Sequence, residues 1–245
     1  MFMKMTASLA CAVEFEKVRL VRDGRVILDD ITLSLTEPRV GIIGRNGSGK
    51  TSLLRVMAGL QSPDAGSVQV NGIDVARDRA AAIRTLGVVF QNPDHQIIFP
   101  TVEEELSFGL IQLGTDRKTA RARARALLSQ HGLADWATRS TQALSQGQRQ
   151  YLCLLSVIAM EPAVILLDEP FTALDLLTRT QLYRSLFALA PRLVMITHDT
   201  RILEGFDRVI WLDEGRIRED GPAAAVIESF TAEMMHLAEG RSCWH

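Results

Sequence analysis

Eight consecutive residues, Gly44-Arg45-Asn46-Gly47-Ser48-Gly49-Lys50-Thr51, follow the pattern G-x-x-x-x-G-K-[ST]. Glycines at these positions let successive backbone N–H groups turn inward around phosphate oxygens, where a side chain would collide. Lys50 is placed to reach the β- and γ-phosphates of a nucleoside triphosphate, and the Thr51 hydroxyl to ligate Mg²⁺. With Ser52 in the first turn of the helix that follows, residues 44–52 form the candidate nucleotide-binding loop. The second cluster is Asp168-Glu169, two acids closing the apolar run Ala163-Val164-Ile165-Leu166-Leu167. Ligands collect at the carboxyl ends of strands in open α/β sheets. Asp168 is therefore the expected partner of the Mg²⁺ coordination sphere, and Glu169 can polarise a water for attack on the γ-phosphate. A chance glycine turn and two surface acids are the plainer readings. The elements around each pattern argue against them.

The glycine loop is preceded by Val40-Gly41-Ile42-Ile43, short and apolar as a buried parallel strand should be. Thr51 to Ala58 then reads as a helix that stops at Gly59. Residues 13–36 read as antiparallel strands, with Ile31, Leu33 and Leu35 alternating with Thr32, Ser34 and Thr36. Asn71-Gly72, between two short strands within residues 67–75, is a two-residue hairpin signal. Thr85 to Phe90 is another buried strand, ending at Gln91. From Asn92 to about Met160 the pattern is helical. Thr101 with Glu104 predicts a capping box, and a basic helix spans about Arg117 to Gln130. The arginines of that helix have no interleaved aromatics, and a solvated face is the expectation rather than a nucleic-acid surface. Strands return at Val164–Leu167, Leu193–Ile196 and Val209–Leu212, so the sheet is expected to be mostly parallel and wound on both sides.

With 245 residues the chain can bury a large core as one α/β domain with a subdomain. A net charge of −2 supplies no field to draw it to nucleic acid or anionic lipid. Cys11, Cys153 and Cys243 are far apart and odd in number, which reads as reduced thiols in a cytosolic protein. Residues 1–13 faintly imitate a secretion signal, but Glu14-Phe15-Glu16 interrupts the apolar part and a first strand is expected there. The apolar run from Tyr151 to Met160 is about half a membrane span. Residues 234–245, including His236 and His245, read as a frayed tail rather than a source of metal ligands.

Ser145 followed by Gln148 is a further capping box, opening a helix whose free N–H groups can hold an anion. Leu144-Ser145-Gln146-Gly147-Gln148-Arg149, together with Asp168-Glu169-Pro170, Ala173-Leu174-Asp175, Gln91 and Thr197-His198-Asp199, resembles the nucleotide-binding subunits of ABC transporters. The likeness covers nearly the whole chain, in the family's order. It implies an α/β P-loop (RecA-like) core with an antiparallel β subdomain and an inserted α-helical subdomain. The core would take about residues 1–91 and 161–245 of a single 1–245 domain, and the helical subdomain about 92–160. It implies that Ser145, Gln146, Gly147 and Gln148 grip the γ-phosphate bound to the other subunit, two chains sandwiching two ATP molecules head to tail. His198 would hydrogen-bond the γ-phosphate, Gln91 would touch Mg²⁺ and the attacking water, and Asp175 would communicate across the dimer. Two positions depart from the family. Gln146 replaces the first of its paired glycines, and no aromatic stands near Val21-Arg22, where the family stacks one on adenine; Arg22 can stack by its guanidinium plane instead.

The stretch from Phe90 to Gly109 resembles the corresponding part of energy-coupling-factor importers, which take up vitamins, cobalt or nickel, and the likeness is greatest to ATPases of biotin importers. That implies a peripheral ATPase on the cytoplasmic face of the membrane, homodimeric or paired with a related ATPase chain. A transmembrane energy-coupling T component would dock near residues 91–108, and a substrate-binding membrane S component would be engaged indirectly. Nucleic acid is not an expected partner. The alternative is an ABC-type ATPase acting on nucleic acid or the ribosome, but the coiled-coil insertions, zinc clusters or second ATPase copy of such chains are not in this sequence.

Overall fold

The structure, a computed structural model, describes residues 13–171, 174–189 and 192–240. The expected strand over residues 1–12, together with Cys11, Ala173, Cys243 and His245, lies outside them. The chain forms two compact units, Met1–Ala82 with Thr200–His245, and Ile83–Asp199.

The first unit begins with β1 (Val13–Arg22) and β2 (Arg25–Leu35), an antiparallel pair. They are joined at Asp23-Gly24, both at positive φ, the turn whose twist suits a hairpin. Val13, Phe15, Val18 and Leu20 are buried along β1, so the alternation slips by one residue after Phe15. The slip is a bulge, with Lys17 at φ +46° and a shift of register against β2. β3 (Arg39–Ile43) leads into the glycine loop and α1 (Lys50–Met57). β4 (Ala65–Val70) and β5 (Ile73–Asp74) turn through Asn71 and Gly72, at φ +54° and +76°, the hairpin expected from those two residues. The four-stranded antiparallel sheet runs β2-β1-β4-β5. A short α2 (Arg79–Thr85) follows.

In the second unit β6 (Leu86–Val89), β7 (Val164–Asp168) and β8 (Leu193–Ile196) form parallel neighbours in that order. The helices α3 (Val102–Gln112), α4 (Arg117–Gln130) and α5 (Gln146–Ala159) come between β6 and β7 in the chain, and α6 (Leu176–Leu189) between β7 and β8. Every residue of β7 and β8 is buried, which is why both read as unbroken apolar runs. At the start of α3 the predicted capping box takes a different form. The Thr101 hydroxyl accepts from the Glu104 N–H at 3.4 Å and donates to the Glu104 carboxylate at 2.6 Å, so the acid binds the hydroxyl rather than the backbone. Glu103 holds Arg121 and Arg125 from α4. Cys153 is free and buried on α5, where burial pushes its thiol up to about 12.

The chain returns to the first unit through α7 (Thr200–Leu203), β9 (Arg208–Asp213), β10 (Arg216–Pro222) and α8 (Ala223–Gly240). β9 runs parallel to β3, with Ile43 opposite Trp211, and β10 is antiparallel to β9. The Arg208 guanidinium clamps Asp220 through two bonds of 2.6 Å and Glu37 at 3.1 Å, tying β9 to β10 and to the segment before β3. The tail departs from expectation. Residues 234–240 continue α8 instead of fraying, because Met, Leu, Ala and Glu sustain a helix anchored by Phe230 edge-on to Trp211.

Candidate functional site

In the first unit, β3 delivers the chain into residues 44–49 and α1 carries it away. Gly44, Gly47 and Gly49 adopt φ of +152°, +81° and +102°, but for different reasons. A methyl group on Gly44 would run into the Leu212 carbonyl oxygen, and one on Gly49 would stand 2.8 Å from that of Ile27. Neighbouring backbone thus forbids side chains at both. Gly47 faces open space, so its positive φ, not crowding, selects glycine there. Lys50, only 7% exposed, donates from Nζ to the carbonyl oxygens of Gly44 at 2.8 Å and Arg45 at 2.9 Å. The loop therefore holds the ammonium that the loop's ligand would need.

The first turn of α1 contains no acid, and no side chain caps it. Its leading N–H groups keep their anion-binding capacity and the partial positive charge of the helix end. The Ser48 hydroxyl is buried without a partner. Gly44 and Ser48 are buried, Arg45, Asn46, Gly47 and Thr51 exposed, and Gly49 and Ser52 half-buried. A basic, uncapped helix start with an orphaned hydroxyl fits a polyphosphate.

In the second unit, Asp168 ends β7 and is 6% exposed. Glu169 follows at φ +48°, its N–H bonded to the Ile196 carbonyl at 2.9 Å, so that its side chain leaves the strand at a fixed angle. Its carboxylate meets His198 Nδ1 at 2.7 Å. The structure therefore brings together Glu169 and His198, which the sequence separates by a helix and a strand. That contact fixes the imidazole and leaves Nε2 as its other hydrogen-bonding nitrogen. Asp175 is exposed and its carbonyl accepts from the Arg179 N–H at the start of α6.

Ser145 caps α5 with both bonds of the predicted box. Its Oγ accepts from the Gln148 N–H at 3.2 Å, and its own N–H donates to Gln148 Oε1 at 2.9 Å. Ser145 and Gln146 are exposed, Gly147 and Gln148 half-buried, so this helix start faces outward. Gln91 is exposed just beyond β6. Among the described residues no three His, Cys, Asp or Glu side chains form a metal cluster of their own.

Residues 28–172, more than half of the chain, match the family model described as ABC transporter. The chain belongs to the ABC transporter family. It is an ABC-type ATPase coupled to transport, and it binds ATP. Among curated relatives of this ABC ATPase is "Biotin transport ATP-binding protein BioM" of Rhodobacter capsulatus, 53% identical over 95% of this chain and 99% of that one. Among solved structures, CbiO1 of Clostridium perfringens, part of the ABC transporter complex CbiONQ, is 26% identical. It covers 93% of this chain and 98% of its own, with a TM-score of 0.76. The ATP-binding cassette MJ0796, solved as a dimer in a post-hydrolysis state with ADP and phosphate, is also 26% identical. It covers 86% and 98%, with a TM-score of 0.77. The fold is the ABC ATPase fold, a mixed α/β structure with an antiparallel subdomain and a parallel P-loop sheet.

Sequence reasoning missed several side chains that set this ABC ATPase's local geometry. Gln61, with its amide oxygen turned toward Arg22, accepts from Nη2 at 2.6 Å and Nε at 2.7 Å, and Asp64 stands 3.7 Å from Nη1. Gln96, Arg149 and Gln150 hold the residue before Gln91 and the turn after it. No spacing rule marks such pairs, because their members are up to 60 residues apart.

Proposed function

We propose that this chain is the ATP-hydrolysing subunit of an energy-coupling-factor importer whose cargo is biotin. The observation that carries the reading is the 53% identity to the Rhodobacter biotin transport ATPase, which runs through 99% of that protein's length. The chain works on the cytoplasmic face of the cell membrane. No helix among the described residues is long and apolar enough to cross a membrane, so a membrane partner supplies the path.

Lys50 and the N–H groups of residues 44–52 bind the phosphates. The Thr51 hydroxyl, the Gln91 amide oxygen and the Asp168 carboxylate are hard oxygen donors of the kind that complete an Mg²⁺ sphere shared with phosphate and water. When bound, Mg²⁺ neutralises charge on the β- and γ-oxygens. Glu169 takes the proton of the attacking water, and His198, held on Glu169 through Nδ1, hydrogen-bonds at the γ-phosphate through Nε2. The exposed start of α5, Ser145 to Gln148, grips the nucleotide of a second copy or a related ATPase chain, and Asp175 lies at that joint. The T component docks near residues 91–108, where Phe99 and Phe108 line a surface groove beside Ile98, which is 65% exposed.

The test is purification from membranes with the integral partners, followed by uptake of labelled biotin. Energy-dependent biotin uptake that disappears without this chain is the expected result. A complex that carries cobalt, nickel or another vitamin instead would overturn the cargo.

Arg22 replaces the aromatic platform for the base. Its bonds to Gln61, Asp64 and the Val21 carbonyl lie at the edges of the guanidinium, the arrangement that offers its flat face to adenine. Arg22→Ala should weaken ATP binding about tenfold and Arg22→Tyr should keep it, since a stacked base contributes about 1–3 kcal/mol. Equilibrium titration with ATP and GTP checks both affinity and base preference.

A further inference from the structure

The residue before Gln91 is held in an unusual way. Phe90 lies just past the end of β6. Side-chain amides take up both of its backbone polar groups. Its N–H donates to Gln96 Oε1 at 3.2 Å, and its carbonyl accepts from Gln150 Nε2 at 3.0 Å. Gln150 is 3% exposed and lies on α5, five residues after the capping Ser145.

Two further links join the same turn to the same helix. Asp94 meets Arg149 at 3.3 Å, and Gln96 Nε2 points to the Cys153 carbonyl at 3.5 Å. The turn itself is stiff, since Asn92 caps it by accepting from the Asp94 N–H at 3.0 Å. Residues 149, 150 and 153 span little more than one helical turn, so the segment around Gln91 is fastened to the first half of α5 and not to a loop. The backbone of this turn is tied to the cap directly, since the Arg149 N–H donates to the Ser145 carbonyl at 2.9 Å.

The opposite side of this turn opens to the surface. Ile97, Ile98, Phe99 and Pro100 line a groove of about 410 Å³ together with Asp94 and Arg149. The buried amide oxygen of Gln150 has no partner. An apolar residue would avoid that burial cost if filling space were its whole role, so the donor to Phe90 is what the position retains.

We propose that Gln96 and Gln150 are positioning residues for hydrolysis: through the Phe90 N–H and carbonyl they latch Gln91 to α5 and fix where it stands. The proposal rests on the functional reading above and adds to it two side chains that set the hydrolysis rate without touching nucleotide. Gln150 touches neither nucleotide nor water in this scheme; it acts through the Phe90 carbonyl.

The test uses the full chain assembled with its membrane partners, comparing the parent with Gln150→Leu and Gln150→Glu. Leucine keeps the volume and removes the donor. The expected result is a kcat for ATP hydrolysis lower by about tenfold with KM for ATP changed less than about twofold, since what is lost acts on hydrolysis and not on ATP binding. In the Gln150→Glu variant the introduced carboxyl can donate to the Phe90 carbonyl when neutral, whereas its ionised form cannot. The kcat of that variant, taken as a ratio to the parent, should therefore rise as pH falls from about 8.5 to about 6. Asp94, Glu105, Arg149 and Cys153, the ionisable groups around this stretch of α5, are common to both proteins and cancel in the ratio. Variants whose kcat matches the parent at every pH, with only thermal stability lowered, would overturn the latch while leaving the functional reading intact. A parent that hydrolyses no ATP would overturn that reading, and the latch with it.

Discussion

Lys50→Ala is expected to lose ATP binding at concentrations that saturate the parent chain, a drop in affinity of at least about 100-fold. The ammonium is buried, and the Gly44 and Arg45 carbonyls fix it in place before any ligand arrives. Truncation removes the positive charge aimed at the phosphates and takes the ammonium from two carbonyls, of which that of Arg45 keeps the Ser48 N–H at 3.1 Å, so both the charge and the shape of the loop suffer. Lys50→Arg should fare little better, because a forked guanidinium does not fit where a single compact ammonium bridges two carbonyls. Calorimetric titration with ATP measures the loss, and an unchanged far-UV spectrum separates it from unfolding. Parent-like affinity in the alanine variant would remove residues 44–52 from the nucleotide site.

Glu169→Gln is the second large effect, and it separates hydrolysis from binding. Gln keeps the volume of Glu, and its amide oxygen can still accept from His198 Nδ1, so the 2.7 Å contact and the φ of +48° are preserved. What disappears is the capacity to take a proton. The turnover rate should fall about 100- to 1000-fold, within the range for loss of a positioned general base, while ATP affinity stays near the parent value. Bound but unhydrolysed, ATP should then hold two copies together, and size-exclusion chromatography with ATP should show a dimer that the parent forms only transiently. Normal turnover would exclude Glu169 as the base.

The parts of this molecule that are legible in sequence are those governed by local rules. The phosphate loop is one, because glycine conformation and helix-end N–H groups act within a few residues. The Asn71-Gly72 turn and the Ser145/Gln148 box are others, each fixed by a spacing of one or three residues. β3, β7, β8 and β9 are legible because strands buried on both faces carry little else than apolar residues. β10 is not: none of its residues is fully buried, so no apolar run announces it, and antiparallel pairing with β9 defines it instead. α2 is hidden because Ala82 is its only buried residue. The bulge at Lys17 breaks an alternation that a period of two would have continued. The contact of Glu169 with His198 depends on which strand lies beside which, and the bond from Gln150 to Phe90 on which helix packs against β6. One-dimensional patterns carry no such information.

The cap on α5 has an entropic consequence. With one lone pair of the Ser145 oxygen engaged by the Gln148 N–H, the exposed hydroxyl keeps its own proton to donate outside the helix. An arriving anion therefore meets an oxygen already held in place, whereas an uncapped side chain would spend rotamer entropy settling there. Because Gln148 returns its own side chain to the serine N–H, a substitution at residue 148 would loosen the serine's placement without touching the serine. Weakened grip on a neighbour's phosphate, with both chains still folded, would be the trace of that loosening.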